Sequence, residues 1–126
     1  MPRVRPPDSL RQVAEGAVAG GSWRVGVRDF LDGFARAEPD ITQGLLDDEP
    51  PAFDAVGDAY LAALAEHLAF HHDLVRPPWC VSPSRFRRRM WFASDAPGLR
   101  ATAIQQSPAA FRRRGLFIGA TTLGRV

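Results

Sequence analysis

The 126-residue sequence contains no lysine and no asparagine, and it has only one cysteine. The lone Cys80 cannot form an internal disulfide, which excludes a disulfide-stapled scaffold and fits a reducing compartment. No apolar run approaches the roughly 20 residues that span a bilayer, and no stretch resembles a signal peptide. We therefore expect a cytoplasmic protein in which Cys80 is a small buried residue.

Acidic residues are scarce in one part of the chain only. Residues 1–75, the acidic half, carry six arginines against thirteen acids, a balance of −7, whereas residues 76–126, the basic half, carry ten arginines against Asp95, a balance of +9. Because all sixteen basic residues are arginine, a choice typical of GC-rich genomes, their positions are more informative than their type. Seven of them form a first cluster, Arg85, Arg87, Arg88 and Arg89, and a second cluster, Arg112, Arg113 and Arg114. Such clusters indicate a positive surface for an anionic partner or for phosphate.

The length and the apolar spacing predict one helical domain. A chain of 126 residues can bury roughly two thirds of its unfolded surface. Apolar residues recur with a period near 3.6, which predicts an all-α fold without a sheet: an irregular bundle of five or six short helices around one long central helix. We assign residues 1–126 to this single domain, with residues 1–7 as an extended lead-in.

Small polar residues that can cap helices precede the predicted elements, at Asp8, Ser22, Asp95 and Ser107. The longest apolar pattern runs from about residue 53 to His72 and marks the central helix. The acidic stretch 40–51 before it is interpreted as a linker that packs Leu45 and Leu46, and one helical turn with Ile41, Leu45 and Leu46 is compatible with its spacing. After the central helix, Trp79 is expected to cover the core.

The basic half is predicted to be helical as well. Phe86 and Met90 are four residues apart, so residues 85–92 are expected to form one or two helical turns. A further helix is expected up to Gln106. Ser107 should then cap a short helix that buries Phe111.

Candidate chemistry is sparse. His67 and His71 share a helix face, as zinc ligands do, and Cys80 lies within chain reach, so a small metal-dependent enzyme is one hypothesis. The alternative is that these histidines are polar residues that end an alanine-rich helix, where the helix dipole favours His71 and His72. Glycine-rich segments lack the lysine of a phosphate-binding loop. We predict no catalytic residue and no cofactor.

The arginine clusters form the main candidate site. We expect them to bind a partner or phosphate, or else to form a solvated face with ion pairs to the acidic half. Three consecutive helical residues spread over about 200°, so Arg112, Arg113 and Arg114 cannot all grip one ligand, and at least one should pair internally. No pair of capped helices presents a recognition helix for sequence-specific DNA reading.

Four segments carry a resemblance to a known family: AYLAALAEHLA, PPWC, MWFAS and LRATAIQQSPAAFRRRGLF. From about residue 10 onward the chain resembles a family of small, all-helical actinobacterial proteins of poorly assigned function, whose hallmark is the SPAAFRRRGLF motif. The resemblance implies an antitoxin-like or regulatory role, sometimes beside a nucleotidyltransferase-like toxin. Some members follow a helix-turn-helix domain, for which 126 residues leave no room, so direct operator binding is not expected.

Three functions are therefore open from the sequence. The first is a non-enzymatic, antitoxin-like domain that docks a protein partner or a second copy of itself through its polarised charge. The second is nucleic-acid binding through the two arginine clusters. The third is the metal-dependent enzyme.

Overall fold

The computed structural model describes residues 7–94, 98–119 and 122–123. These residues are mostly helical, with six α-helices, which confirms the all-α class. The contacts divide the chain into two compact units, Met1–Pro51 and Ala52–Val126. The single-domain assignment stays a prediction, and residues 1–6 of the predicted lead-in lie outside the described part. No helix within the described ranges is long and apolar enough to cross a membrane.

The first unit holds helices α1 (Leu10–Val18), α2 (Trp23–Arg36) and α3 (Pro39–Asp47). Ser9 caps α1: its hydroxyl accepts from the Gln12 amide at 3.2 Å, and its own amide donates to the Gln12 side chain at 2.8 Å. The prediction that Asp8 caps this helix is therefore wrong, because only Ser9 stands three residues before a glutamine that can reciprocate. Ser22 caps α2 as predicted, by accepting from the Val25 amide at 3.3 Å.

The prediction that residues 40–51 form a linker is wrong, because most of this stretch is helical. Pro39 occupies the first turn of α3, where its missing amide hydrogen costs nothing. The hydroxyl of Thr42 donates to the Pro39 carbonyl at 2.9 Å. Leu46 is fully buried and Leu45 half-buried, so the packing of the leucines is confirmed although the linker is not.

The second unit contains α4 (Ala55–His71), which at 17 residues is the longest of the described helices. Asp54 caps it by accepting from the Gly57 amide at 2.8 Å. Apolar and small residues are buried on most sides of this helix, which explains its alanine-rich sequence. It packs against α6 and against two 3-10 turns, Pro78–Val81 and Pro83–Arg85. Trp79, in the first turn, is buried as expected.

Residues 85–92 are not helical as predicted. The second 3-10 turn ends at Arg85, and strand β1 (Trp91–Phe92) pairs in parallel with β2 (Leu116–Phe117), so the expected absence of any sheet is wrong in this detail. The extended path lets the Trp91 amide donate to the Gly115 carbonyl at 2.8 Å. It also stacks the Phe92 ring on Phe117 with centroids 5.0 Å apart. These long-range contacts outweigh the spacing of four on which the helical prediction depended.

Helix α5 (Leu99–Gln106) ends where predicted, but it begins after Gly98, whose φ of 85° is left-handed. Its apolar residues Leu99 and Ile104 are exposed. The proposed cap Asp95 lies outside the described residues.

Ser107 does not cap the helix that follows it, contrary to prediction. It is buried, donates its hydroxyl to the Ala103 carbonyl and accepts from the Ile118 amide at 2.9 Å, so it joins the end of α5 to the segment after β2. Helix α6 (Ala109–Arg112) has no side-chain cap. Phe111 is fully buried, as predicted.

Candidate functional site

The fold brings together the two arginine clusters, which are more than twenty residues apart in the chain. The Arg87 amide donates to the Arg114 carbonyl at 3.4 Å, and the strand pair that follows continues this contact. The turn after α6 favours glycine at Gly115, because its φ of 74° is left-handed. The two clusters therefore belong to one region of the second unit.

Two of the seven predicted site residues are buried and structural. Arg114 is fully buried and donates to the carbonyls of Ala110 and Cys80, both at 2.8 Å, while its guanidinium lies over the Phe86 ring at 4.6 Å. Arg85 is also buried. It donates to the Asp58 carbonyl at 3.2 Å and lies over the Trp79 ring at 4.9 Å. Neither side chain can reach a partner, so these two arginines hold the unit together.

The other arginines stay at or near the surface. Arg88, Arg89 and Arg112 are exposed, and no ion pair or side-chain hydrogen bond joins their guanidiniums to any residue within the described ranges. The Arg87 Nε donates to the Arg89 carbonyl at 3.3 Å. These four arginines form the part of the predicted site from which solvent or a partner can be reached.

Arg113 belongs to a different arrangement, which the sequence did not reveal. One oxygen of Glu66, Oε1, faces three guanidiniums: Arg113 Nη2 at 2.6 Å, Arg114 Nη2 at 3.2 Å and Arg76 Nη1 at 3.6 Å. The Glu66 side chain is only 15% exposed. Three positive charges around one carboxylate leave a local balance of 3 − 1 = +2. The expectation that at least one of Arg112, Arg113 and Arg114 pairs internally is confirmed twice over.

Glu66 and Arg76 were not among the predicted site residues. The one available signal was that Glu66 is the only acid between residues 59 and 72, in an otherwise apolar helix. A lone acid in a buried helix needs a partner, because an unpaired charge there is costly. Its partners are 47 and 48 residues away along the chain, so periodicity could not identify them.

A cavity of about 580 Å³ lies beside the C-terminal part of α4. We call it the α4 pocket, and it is lined by Glu66, His67, Ala69, Phe70, His71, Leu74, Arg76, Pro108, Ala109 and Ala110. Burial, and secondarily the neighbouring His71 and His72, lower the pKa of His67 to about 4. His67 is therefore neutral at pH 7. The Phe70 ring is 81% exposed.

Of the three proposed metal ligands, only His67 and His71 are shown side by side. The rings of His67 and His71 are adjacent, with centroids 4.3 Å apart. Cys80 is buried, as expected, and burial raises the pKa of its thiol to about 12, so the thiolate that a metal prefers is disfavoured. Within residues 7–94, 98–119 and 122–123, no three histidine, cysteine or acidic side chains are grouped so as to hold a metal ion.

Comparison with known proteins does not add to this geometry. No protein-family model, no curated protein and no solved structure matches the chain. The resemblance to small actinobacterial helical proteins therefore stays a prediction.

Proposed function

We propose that this chain is a non-enzymatic binding domain that docks an acidic surface of a protein partner through exposed arginines. The observation that carries the proposal is that Arg88, Arg89 and Arg112 are exposed and form no ion pair within the described part of the chain, whereas Arg113 nearby is paired with Glu66. Unpaired exposed charges of one sign contribute little to folding and much to the rate and specificity of association.

The arginines of the two clusters differ in their contacts, and this difference supports the proposal. Arg85 and Arg114 are buried, and Arg113 is bound to Glu66, so these three contribute to the stability of the second unit. Arg88 and Arg112 have no such role in the fold. In the proposed arrangement α4 is the central helix of a bundle that presents them to the partner.

The resemblance stated from the sequence gives the partner a class. We propose an antitoxin-like, regulatory role in which the acidic partner is a toxin of the nucleotidyltransferase kind. A second copy of this chain is the other protein that could supply acids, since Asp47, Asp48 and Glu49 are exposed in the first unit. Sedimentation at two protein concentrations separates these cases, because only self-association depends on the concentration of this chain alone.

A pair of matched double variants tests the proposal. Arg88→Gln with Arg112→Gln removes two exposed charges from the basic region, and Arg28→Gln with Arg36→Gln removes two exposed charges from the first unit. Each immobilised protein is exposed to lysate of the source organism, the captured proteins are quantified, and binding of each candidate is then measured with purified protein.

We expect a partner that the wild type and the Arg28/Arg36 control retain and that the Arg88/Arg112 variant binds at least about tenfold more weakly. The thermal midpoint should stay nearly constant in both variants, because exposed charges contribute under about 1 kcal/mol each. If every captured protein responds equally to the two double variants, the proposal is wrong.

Nucleic acid is the alternative anionic partner, and the same variants address it. A duplex DNA and a single-stranded RNA are titrated at two salt concentrations with each protein. An affinity that falls steeply with salt and that is lost only in the Arg88/Arg112 variant would replace the protein partner by nucleic acid.

A further inference from the structure

Beside the α4 pocket the carboxylate of Glu66 faces the three guanidiniums of Arg76, Arg113 and Arg114. Glu66 Oε1 already accepts from Arg113 at 2.6 Å and from Arg114 at 3.2 Å, and both distances are those of hydrogen bonds. Arg76 Nη1 lies 3.6 Å from the same oxygen, which is too long for one. The guanidinium of Arg76 can therefore donate hydrogen bonds to another acceptor.

Arg76 is also placed to reach a ligand. It lines the α4 pocket and its side chain is 49% exposed, whereas Arg114 is fully buried and does not line the pocket. The planar guanidinium can bind a carboxylate with two parallel hydrogen bonds. Glu66 is the one carboxylate among the residues that line the pocket, and its Oε1 already accepts from Arg113 and Arg114.

The remaining walls of the pocket are suited to an apolar body. Six of the ten lining residues are alanine, proline, leucine or phenylalanine. Phe70 is a large aromatic side chain that the described part of the chain leaves 81% exposed. His67 adds no charge at pH 7, because its pKa is lowered to about 4. A volume of about 580 Å³ lies within the range of pockets that hold small organic molecules.

We propose that the α4 pocket binds a small organic carboxylate with an apolar, preferably aromatic, body, and that Arg76 holds its carboxylate. An inorganic anion would leave the apolar walls unfilled, and a neutral molecule would leave Arg76 without an acceptor. Neither Arg88 nor Arg112 lines the pocket, so this proposal does not depend on their docking a protein.

Two probes with the same ring system test the proposal: 2-naphthoate, which is an anion at pH 7, and 2-naphthalenemethanol, which is neutral. Binding to the full chain is followed by calorimetry and by chemical-shift changes of pocket residues. We expect the wild type to bind naphthoate about tenfold more tightly than the alcohol. Arg76→Gln should abolish this preference while leaving the weak binding of the alcohol unchanged, and Arg76→Lys should restore part of it.

Two further variants locate the site. Ala109→Phe places a ring in the pocket and should weaken both probes, whereas the Arg88→Gln, Arg112→Gln double variant should alter neither. The thermal midpoint of each variant is measured to show that the protein remains folded. The proposal is overturned if neither probe binds at about 1 mM, if Arg76→Gln binds naphthoate as the wild type does, or if naphthoate shifts residues outside the pocket only.

Discussion

Replacing Phe111 by alanine should lower the free energy of unfolding by about 3 to 5 kcal/mol. The ring is fully buried, its centroid lies 5.0 Å from that of Tyr60 in an edge-on arrangement, and it lies 6.1 Å from the His67 ring. The loss has two parts. The favourable free energy of transferring the ring from water to the protein interior is lost, and the surrounding structure relaxes only partially into the cavity that the ring leaves. The edge-on contact with Tyr60 accounts for about 0.5 to 1.5 kcal/mol of the total.

Urea denaturation followed by circular dichroism measures this loss, which in a heating experiment corresponds to a decrease of roughly 10 to 20 °C in the midpoint. Phe70→Ala is the matched control, because it removes the same side chain from a position that is 81% exposed. We expect the control to change the free energy of unfolding by less than about 0.5 kcal/mol. A loss under about 1 kcal/mol for Phe111→Ala, or equal losses for the two variants, would refute the packing described for α4 and α6.

Three further outcomes follow from the geometry. Ser107→Ala should cost about 1 to 3 kcal/mol and speed hydrogen exchange at the Ile118 amide, because that buried donor loses its acceptor; an unchanged exchange rate would contradict it. Cys80 should not react with a thiol reagent at pH 8 until the protein is unfolded. The stability of the protein should fall between pH 9.0 and about 12, because the pKa of this thiol is raised in the folded state and the unfolded chain therefore loses the proton first. The pKa of His67 is lowered in the folded state, so the contribution of this residue to stability is complete above pH 6.5 and is lost as the pH falls towards about 4. An NMR titration midpoint near 6.5 would show that the ring is not buried as described.

Local patterns predicted those elements whose causes are local. The cap at Ser22 depends on a side chain and an amide three residues away, so the sequence contains both partners. The cap at Asp54 has the same local geometry but was not predicted. The same reasoning failed at Ser107, where the choice between a cap and a long-range bond was decided by Ile118, eleven residues further on. The helical prediction for residues 85–92 was wrong for a similar reason, because the spacing of Phe86 and Met90 contains no information about the pairing of Trp91 with Leu116.

The candidate site divides along the same line. The sequence by itself determined that positive charge is concentrated in two arginine clusters, that Phe111 and Cys80 are buried and that the chain is helical, because composition and periodicity are properties of neighbouring residues. Only the tertiary structure decided which arginines are available. It buried Arg114, bound Arg113 to Glu66 and left Arg88 exposed, because the fate of a charge depends on which distant groups the fold places within a few ångströms of it.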